Sequence, residues 1–296
     1  MKSKKYRSVF RSGLFDGQVA IVTGGGSGIG RCTAHELASL GAKVALIGRD
    51  GEKLKRVRDE IGDGGGECEF YICDIREEDV VRDVVAKVLE RFGRIDHLVN
   101  NAGGQYATPL EKISKKGWDA VVASNLTGGF LMARECYIQW MHTHGGAIVN
   151  MVADMWNGMP DMAHSGAARA GMVNLTMTAA LEWGPANVRV NAVAPGLVFS
   201  SGVDTYPAEI QERLLRFGDD VPLGRTGTEA EASSAIVFLL SEGAAYISGT
   251  TINIDGAFAM ATPNYKLSPR KNQSPVYDGF HLSTPPKLAR RRSAAE

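Results

Sequence analysis

No run of about 18 consecutive apolar residues occurs in this chain, so no segment is long enough to cross a bilayer as a helix. Cysteine is scarce: the four residues Cys32, Cys68, Cys73 and Cys136 form neither a Cys-x-x-Cys pair nor a metal-ligand spacing. A disulfide scaffold and a structural metal site are thereby excluded, and reduced, semi-buried thiols in a cytoplasmic setting are expected. Neither sign of charge is in excess. Lys+Arg and Asp+Glu number 33 each, so no net field draws the protein to nucleic acid or to an anionic membrane. The basic opening MKSKKYRSVFRSG has no apolar core and does not read as a secretory signal; residues 1–13 are expected to form a flexible arm. The closing RRRSAAE lacks a peroxisomal signal of the Ser-Lys-Leu type. Internal repeats and linkers are missing between residues 14 and 257, which leaves one large α/β domain.

What the chain has is glycine, 35 residues of it, several at the ends of short β-branched runs. Such runs stand at 19–25 (VAIVTGG), 44–48, 68–75, 95–100, 147–152, 188–193 and 250–254. Between them lie longer amphipathic stretches at 28–41, 52–61, 77–92, 118–142 and 165–183. Near-continuously apolar strands alternating with helices predict a doubly wound, Rossmann-type α/β fold: a seven-stranded parallel sheet with helices on both faces. Residues 258–296 turn rich in Pro, Ser and basic side chains, and read as an extended, partly disordered tail ending in the Arg290–Arg292 run.

TGGGSGIG, residues 23–30, follows the first strand and opens the first helix. Gly24, Gly26, Gly28 and Gly30 permit a tight turn and close approach to a pyrophosphate. Ser27 and Ile29 then complete a helix N-terminus that attracts the anion. The second strand ends Gly48-Arg49-Asp50. Gly48 leaves room where an acid would repel a phosphate, Arg49 offers a guanidinium fork, and Asp50 reads as the cap of the next helix. NADP(H) is therefore favoured over NAD(H).

These pieces, with Cys73-Asp74-Ile75, Asn100-Asn101-Ala102-Gly103, Asn125 in SNLTGG and Pro195-Gly196, resemble the short-chain dehydrogenase/reductase family across residues 14–257. The resemblance implies that Asp74 and Ile75 contact the adenine end and that Asn101, Ala102 and Gly103 line the adenosine channel. Pro195, Gly196 and Val198 would approach the nicotinamide. It also implies a proton-relay water at Asn125 and a homotetramer built on helices 118–142 and 165–183.

The chain departs from the family pattern at its centre. The family places a serine at the end of strand five and Tyr-x-x-x-Lys on the next helix. Here strand five ends Asn150-Met151-Val152-Ala153-Asp154, and the helix carries Ser165 and Arg169, four apart and on one face. Serine is a far weaker acid than a phenol. Arg169 stays charged and can clasp ribose hydroxyls, but cannot pass a proton as lysine does. Alcohol oxidation needs a base, whereas conjugate reduction of a C=C bond mainly needs donors at a carbonyl oxygen.

HSGAARAG followed by NLT and ALEW resembles the trans-2-enoyl-CoA reductase branch, which also has serine here, and the 2,4-dienoyl-CoA reductases lack the same tyrosine. ADMWNGMPDMAHSGAARAGM resembles still more closely bacterial citronellol/citronellal dehydrogenases, which would be alcohol oxidisers. The catalytic candidates are Ser165, Arg169, Asn125 and Asp154, with His164 and Tyr106 as further proton donors; each of the last three also has a plain packing or capping reading. Met155, Trp156, Met159, Pro160 and Met162 suit an acyl or isoprenoid tail, and residues 197–222, with Tyr206 and Phe217, read as a lid. Three readings stand: an enoyl-thioester reductase, a terpenoid alcohol dehydrogenase, and a nucleotide-binding protein without catalysis.

Overall fold

In a computed structural model, which describes residues 5–200, 203–204, 208–262, 264, 267–269, 271–284 and 286–287, the apolar runs become seven parallel strands. These are β1 (Val19–Thr23), β2 (Lys43–Gly48), β3 (Cys68–Ile72), β4 (His97–Asn100), β5 (Gly146–Met151), β6 (Val188–Pro195) and β7 (Thr251–Ile254). Their order in the sheet is β3-β2-β1-β4-β5-β6-β7. Successive strand residues bury on opposite faces: Ala20 and Val22 pack with Leu37 of α1 (Gly28–Ser39), Val57 of α2 (Gly51–Asp63) and, from a later helix, Ile236. Val19 and Ile21 pack with Val85 of α3 (Glu78–Phe92) and Met132. Both faces are covered, so the strands need no polar alternation.

The long helical stretch begins at Lys115, where Ser114 Oγ accepts from Gly117 N at 3.1 Å, rather than at Trp118. It is α4 (Lys115–Val122), α5 (Gly128–Cys136) and α6 (His142–His144), joined by π-helical turns at Ala123–Thr127 and Tyr137–Met141. After it come α7 (Ala163–Trp183), α8 (Ala208–Asp220) and α9 (Glu229–Leu240). The third strand stops at Ile72, so Asp74 and Ile75 sit in the following loop instead of the strand, free to face a ligand. Asp50 caps α2 as its sequence position implies, accepting from Lys53 N at 3.1 Å. All four cysteines are free and buried. No helix among the described residues is long and apolar enough to cross a membrane.

The tail departs from its composition. Residues 271–284 carry no regular structure, yet they fold back onto α1 and α9 together with the N-terminal arm. Phe280 is buried beside Cys32, Ala230, Tyr6, Tyr277 and Leu282, with the Arg31 guanidinium 5.1 Å above its ring. Arg7 N donates to Gly279 O at 3.0 Å, and Tyr277 Oη to Arg7 O at 2.8 Å. A few aromatic anchors suffice to dock a segment that is polar on average. The arm is held by Glu36 of α1, whose buried carboxylate accepts from Tyr6 Oη (3.0 Å), Ser8 Oγ (2.8 Å) and Ser233 Oγ (2.5 Å). Beyond it, Lys287 N donates to Asp204 Oδ1 at 2.9 Å. Arg290–Arg292 and Tyr206 lie outside the described residues.

Burial raises the carboxyl of Glu229, at the start of α9, from 4.5 to about 7, with Arg31 opposing and Asp278 reinforcing the shift. Between those values the folded chain holds a proton that the unfolded chain has released, so this group costs stability as pH rises through the window. Glu229→Gln is expected to gain stability relative to the unsubstituted protein by up to roughly 3 kcal/mol between pH 4.5 and 7.5, read as the difference in denaturant midpoints at the two pH values. A constant difference would refute the assignment.

Candidate active site

The order of the sheet reverses direction of winding between β1 and β4, the place where such folds open a crevice at the carboxyl ends of their strands. Thr23 Oγ1 stitches the two ends together, donating to Val99 O at 3.2 Å and accepting from Asn101 N and Ala102 N at 3.0 Å each. Asn101 Nδ2 donates to Thr23 O at 3.0 Å. A Cβ on Gly30 would stand 2.4 Å from Asn101 Nδ2 and 2.5 Å from Gly24 O, so only glycine lets α1 start this close to β4. Ser27 precedes the helix without capping it by its side chain, which leaves the first N–H groups of Gly28, Ile29 and Gly30 for an anion.

A groove of about 650 Å³ runs over this junction, walled by Gly24, Gly26, Ser27, Gly48, Arg49, Asp74, Ile75, Ala102 and Gly103. That volume, glycine floor and helix start fit a dinucleotide. Its rim is more cationic than the sequence motif alone suggests. Arg49 is exposed and makes no ion pair among the described residues; Lys53 and Arg76 also line the groove. Arg76 grips Asp74 through Nε at 2.8 Å and through Nη2, holding that carboxyl below its ordinary range. Arg76 was legible only as the second residue after Asp74, a spacing without a motif.

The inner end of the groove, at Gly103, meets a buried polar cluster that gathers three of the four catalytic candidates. Asn125 sits in the π-helical turn after α4, where one extra residue per turn redirects a side chain. Its Oδ1 accepts from Gly104 N at 2.9 Å and its Nδ2 donates to Gly104 O at 3.0 Å, which fixes the amide's orientation. Nδ2 also faces Ser165 Oγ at 3.4 Å. Arg169, one turn further along α7, donates to Met151 O at 2.5 Å and to Asn125 Oδ1 at 3.4 Å. Its Nε is buried without a hydrogen-bond partner, and burial lowers the guanidinium to about 10. Among the described residues no carboxylate pairs with it.

Sequence reasoning missed the fourth member of this cluster. Ser165 is fully buried, and its hydroxyl donates to Gln105 Oε1 at 2.6 Å. Asp154 is placed elsewhere: its backbone N donates to Pro195 O at 3.2 Å, and its half-buried carboxyl is raised by desolvation and by Asp255. Pro195 ends β6, and Gly196 and Val198 follow it in the turn beside Asp154, with Val198 bridged to Gly227. His164 Nδ1 accepts from Ser165 N at 2.9 Å, so its basic nitrogen is occupied by the helix start. Tyr106 packs edge-on to the His164 ring, centroids 4.6 Å apart, with its hydroxyl against Gly117. His164 Nε2 is buried without a hydrogen-bond partner. Trp156 Nε1 donates to Asn253 Oδ1 at 3.0 Å, and the Phe217 ring of α8 packs tilted at 47° against Phe258, centroids 4.4 Å apart.

With this geometry in hand, the chain was compared with known proteins. The family model described as Enoyl-(Acyl carrier protein) reductase matches residues 24–258. A Bacillus subtilis protein named "Probable 2,4-dienoyl-CoA reductase" is 37% identical over 242 residues, 81% of this chain and 95% of its own length. The solved structure of the citronellol catabolism dehydrogenase AtuB of Pseudomonas aeruginosa is 58% identical at a TM-score of 0.78, covering 86% of this chain and 100% of that one. A Beutenbergia cavernae structure with bound NADP at low occupancy is 33% identical at a TM-score of 0.78, covering 84% and 100%.

A Cβ on Gly103 would lie 2.5 Å from Arg169 Nη2 and 2.6 Å from Asn125 Oδ1. Gly103→Ala is therefore expected to displace both groups and lower turnover about 10- to 100-fold, as misplacements of order 1 Å do, while the circular dichroism spectrum stays unchanged. Turnover within twofold of the unsubstituted protein would mean that this contact does not position the cluster.

Proposed function

The chain belongs to the short-chain dehydrogenase/reductase family, and we propose that it is an oxidoreductase reducing the C=C bond of a 2-enoyl-CoA or a similarly conjugated acyl substrate with NADPH. One observation carries this reading. The cluster holds a buried serine, a buried asparagine and a buried guanidinium with the exposed amide of Gln105 beside them, and none of them can accept a proton near neutral pH. The Tyr-x-x-x-Lys pair that the family resemblance leads one to expect is replaced by Ser165 and Arg169. When bound, reduced nicotinamide supplies the hydride. The chain's own part is electrostatic: charge growing on the substrate carbonyl oxygen is met by hydrogen-bond donors of the cluster and by the desolvated positive charge of Arg169. Arg169 also stands within reach of the groove's inner end, where it can hold ribose hydroxyls. Asp154 is the candidate acid for the α-carbon in this reading: it follows β5, and burial and Asp255 raise its carboxyl above the ordinary range.

NADPH is preferred in this reading because Arg49, which makes no ion pair among the described residues, lines the groove, while Asp50 and Asp74 are offset by Lys53 and Arg76. Met155, Trp156, Met159 and Met162 would receive the apolar tail under the lid. Exposed Phe130, Ile138, Met177 and Leu181 on α5, the following π-helical turn and α7 support a homotetramer. A cytoplasmic setting suits the reduced cysteines.

The second reading, a terpenoid alcohol dehydrogenase of the citronellol type, is favoured by the 58% identity to AtuB and would need Asp154 as its base. The two part on a direct assay: NADPH consumption with a medium-chain trans-2-enoyl-CoA, run beside NADP⁺ reduction with citronellol. Turnover of the thioester is expected; turnover of citronellol alone would overturn the first reading, and cofactor binding with neither turnover would leave a silent nucleotide-binding protein. For the cofactor, Arg49→Ala is expected to weaken NADPH binding at least tenfold, the value of about one charge-assisted hydrogen bond, while NADH binding changes less than threefold. Equal losses for both, measured by fluorescence titration, would refute a 2′-phosphate site at Arg49.

A further inference from the structure

One short turn after β7 receives contacts from two separate elements of the crevice. At residues 256–260 the chain leaves the strand with Gly256 at φ +64° and Ala257 at φ +69°, a left-handed backbone that alanine adopts only at a cost. Asp255, the residue before the turn, holds it in that shape: Oδ1 accepts from Ala257 N and Oδ2 from Ala259 N, each at 2.9 Å. Both carboxylate oxygens are thereby given to backbone N–H groups, a strong class of hydrogen bond. Packing supports the turn less. A cavity of about 350 Å³ opens against it, lined by Leu197, Val221, Leu223 and the stretch from Asn253 to Ala257.

The 154–162 loop reaches this turn through Asn157 Nδ2, which donates to Ala259 O at 2.9 Å, while the neighbouring Trp156 is bound to Asn253 of β7. α8 reaches it through the Phe217 ring, packed against Phe258. Leu223 N, past the end of α8, also donates to Gly256 O at 3.3 Å. Loop and helix thus share one support. We propose that Asp255 is a positioning residue of the substrate pocket: by fixing the 256–260 turn it sets the 154–162 loop and α8 at one spacing, and with it the width open to the apolar part of a substrate. It rests on the oxidoreductase reading only in placing a substrate between these two walls; their dependence on Asp255 is a property of the chain alone.

Asparagine is the informative substitution, because it keeps the size and one acceptor of Asp255 but turns the other arm into a donor that faces an N–H. Hydrogen exchange of the full-length protein, read by mass spectrometry, is expected to show Asp255→Asn raising the exchange of protected amides in 154–162, 208–220 and 256–260 together. The increase should be about tenfold, the value of one hydrogen bond, with 19–31 unchanged. Asn157→Ala should raise 154–162 without 208–220, and Phe258→Ala should raise 208–220 without 154–162. On whichever couple the protein turns over, Asp255→Asn should raise the substrate KM about tenfold and leave the NADPH Kd within about threefold. The readout is KM rather than kcat because the charge of Asp255 also faces Asp154. Exchange raised in 256–260 alone would mean that the walls are held elsewhere. An increase that spreads to 19–31 would mean a general loss of fold, and an unmoved KM would mean that the walls do not meet the substrate. Each of these overturns the proposal. A protein silent with every substrate removes the oxidoreductase reading, and the exchange pattern then decides the role of Asp255 by itself.

Discussion

A guanidinium buried with no carboxylate partner among the described residues is the constraint around which this site is organised. Taking a cation out of water costs several kcal/mol even after relaxation, so every acceptor around Arg169 has to be supplied by something else. Met151 O comes from the end of β5 and Asn125 Oδ1 from a π-helical turn, and both exist only because those elements stop or deform at that place. Gly103 must lack a Cβ for Nη2 and Oδ1 to fit. A carboxylate here would have made a more ordinary ion pair, but it would also have cancelled the charge that the groove's inner end presents to a ligand. The unpaired state of Arg169 is thus consistent with a charge kept available for an oxygen that becomes negative during a reaction.

Which parts of this were legible beforehand follows from the range of the interactions. The sheet order and the crevice between β1 and β4 follow from strand-helix alternation and one glycine turn, both local in sequence. Ser165 and Arg169 were visible because a helix places residues four apart on one face. Gln105 was not, because GGQYATPL has no periodicity and its partner lies 60 residues away. The π-helical turn at Asn125 was equally hidden, since one extra residue leaves the apolar pattern of a helix almost unchanged. Lys53, in the first turn of α2, and Arg76, in the turn after β3, reach the groove through the fold, which composition does not describe. The tail was misjudged for a different reason: averages over Pro, Ser and Arg dilute Tyr277 and Phe280, which alone are enough to dock it.

The docked termini bear on the site through α1. Its first turn faces the groove, while its outer face is gripped by Tyr6, Ser8 and Ser233 at Glu36 and by Phe280 and Glu60 at Arg31. A helix start that has to present N–H groups to a pyrophosphate gains from being immobilised along its length, because an anion site is only as well placed as the element that carries it. The clasp adds this rigidity from outside the sheet, without placing any tail residue among the groove walls that have been described.

In the proposed reading, Ser165 and Arg169 in place of a phenol-lysine pair do not by themselves end catalysis when the reaction is conjugate reduction. General acid–base assistance is worth about 10²- to 10⁴-fold, and each preorganised donor at an oxyanion is worth about 10²- to 10³-fold. Donors of this cluster together with the charge of Arg169 would match the missing term in magnitude, provided the proton is needed at carbon rather than removed from a hydroxyl. For alcohol oxidation the balance fails, because donors stabilise an alkoxide but none of these groups takes its proton away. The cluster's composition points the same way: its serine, amides and guanidinium supply donors and no carboxylate, and the carboxyl of Asp154, past the end of β5, is raised above its ordinary range by desolvation and by Asp255.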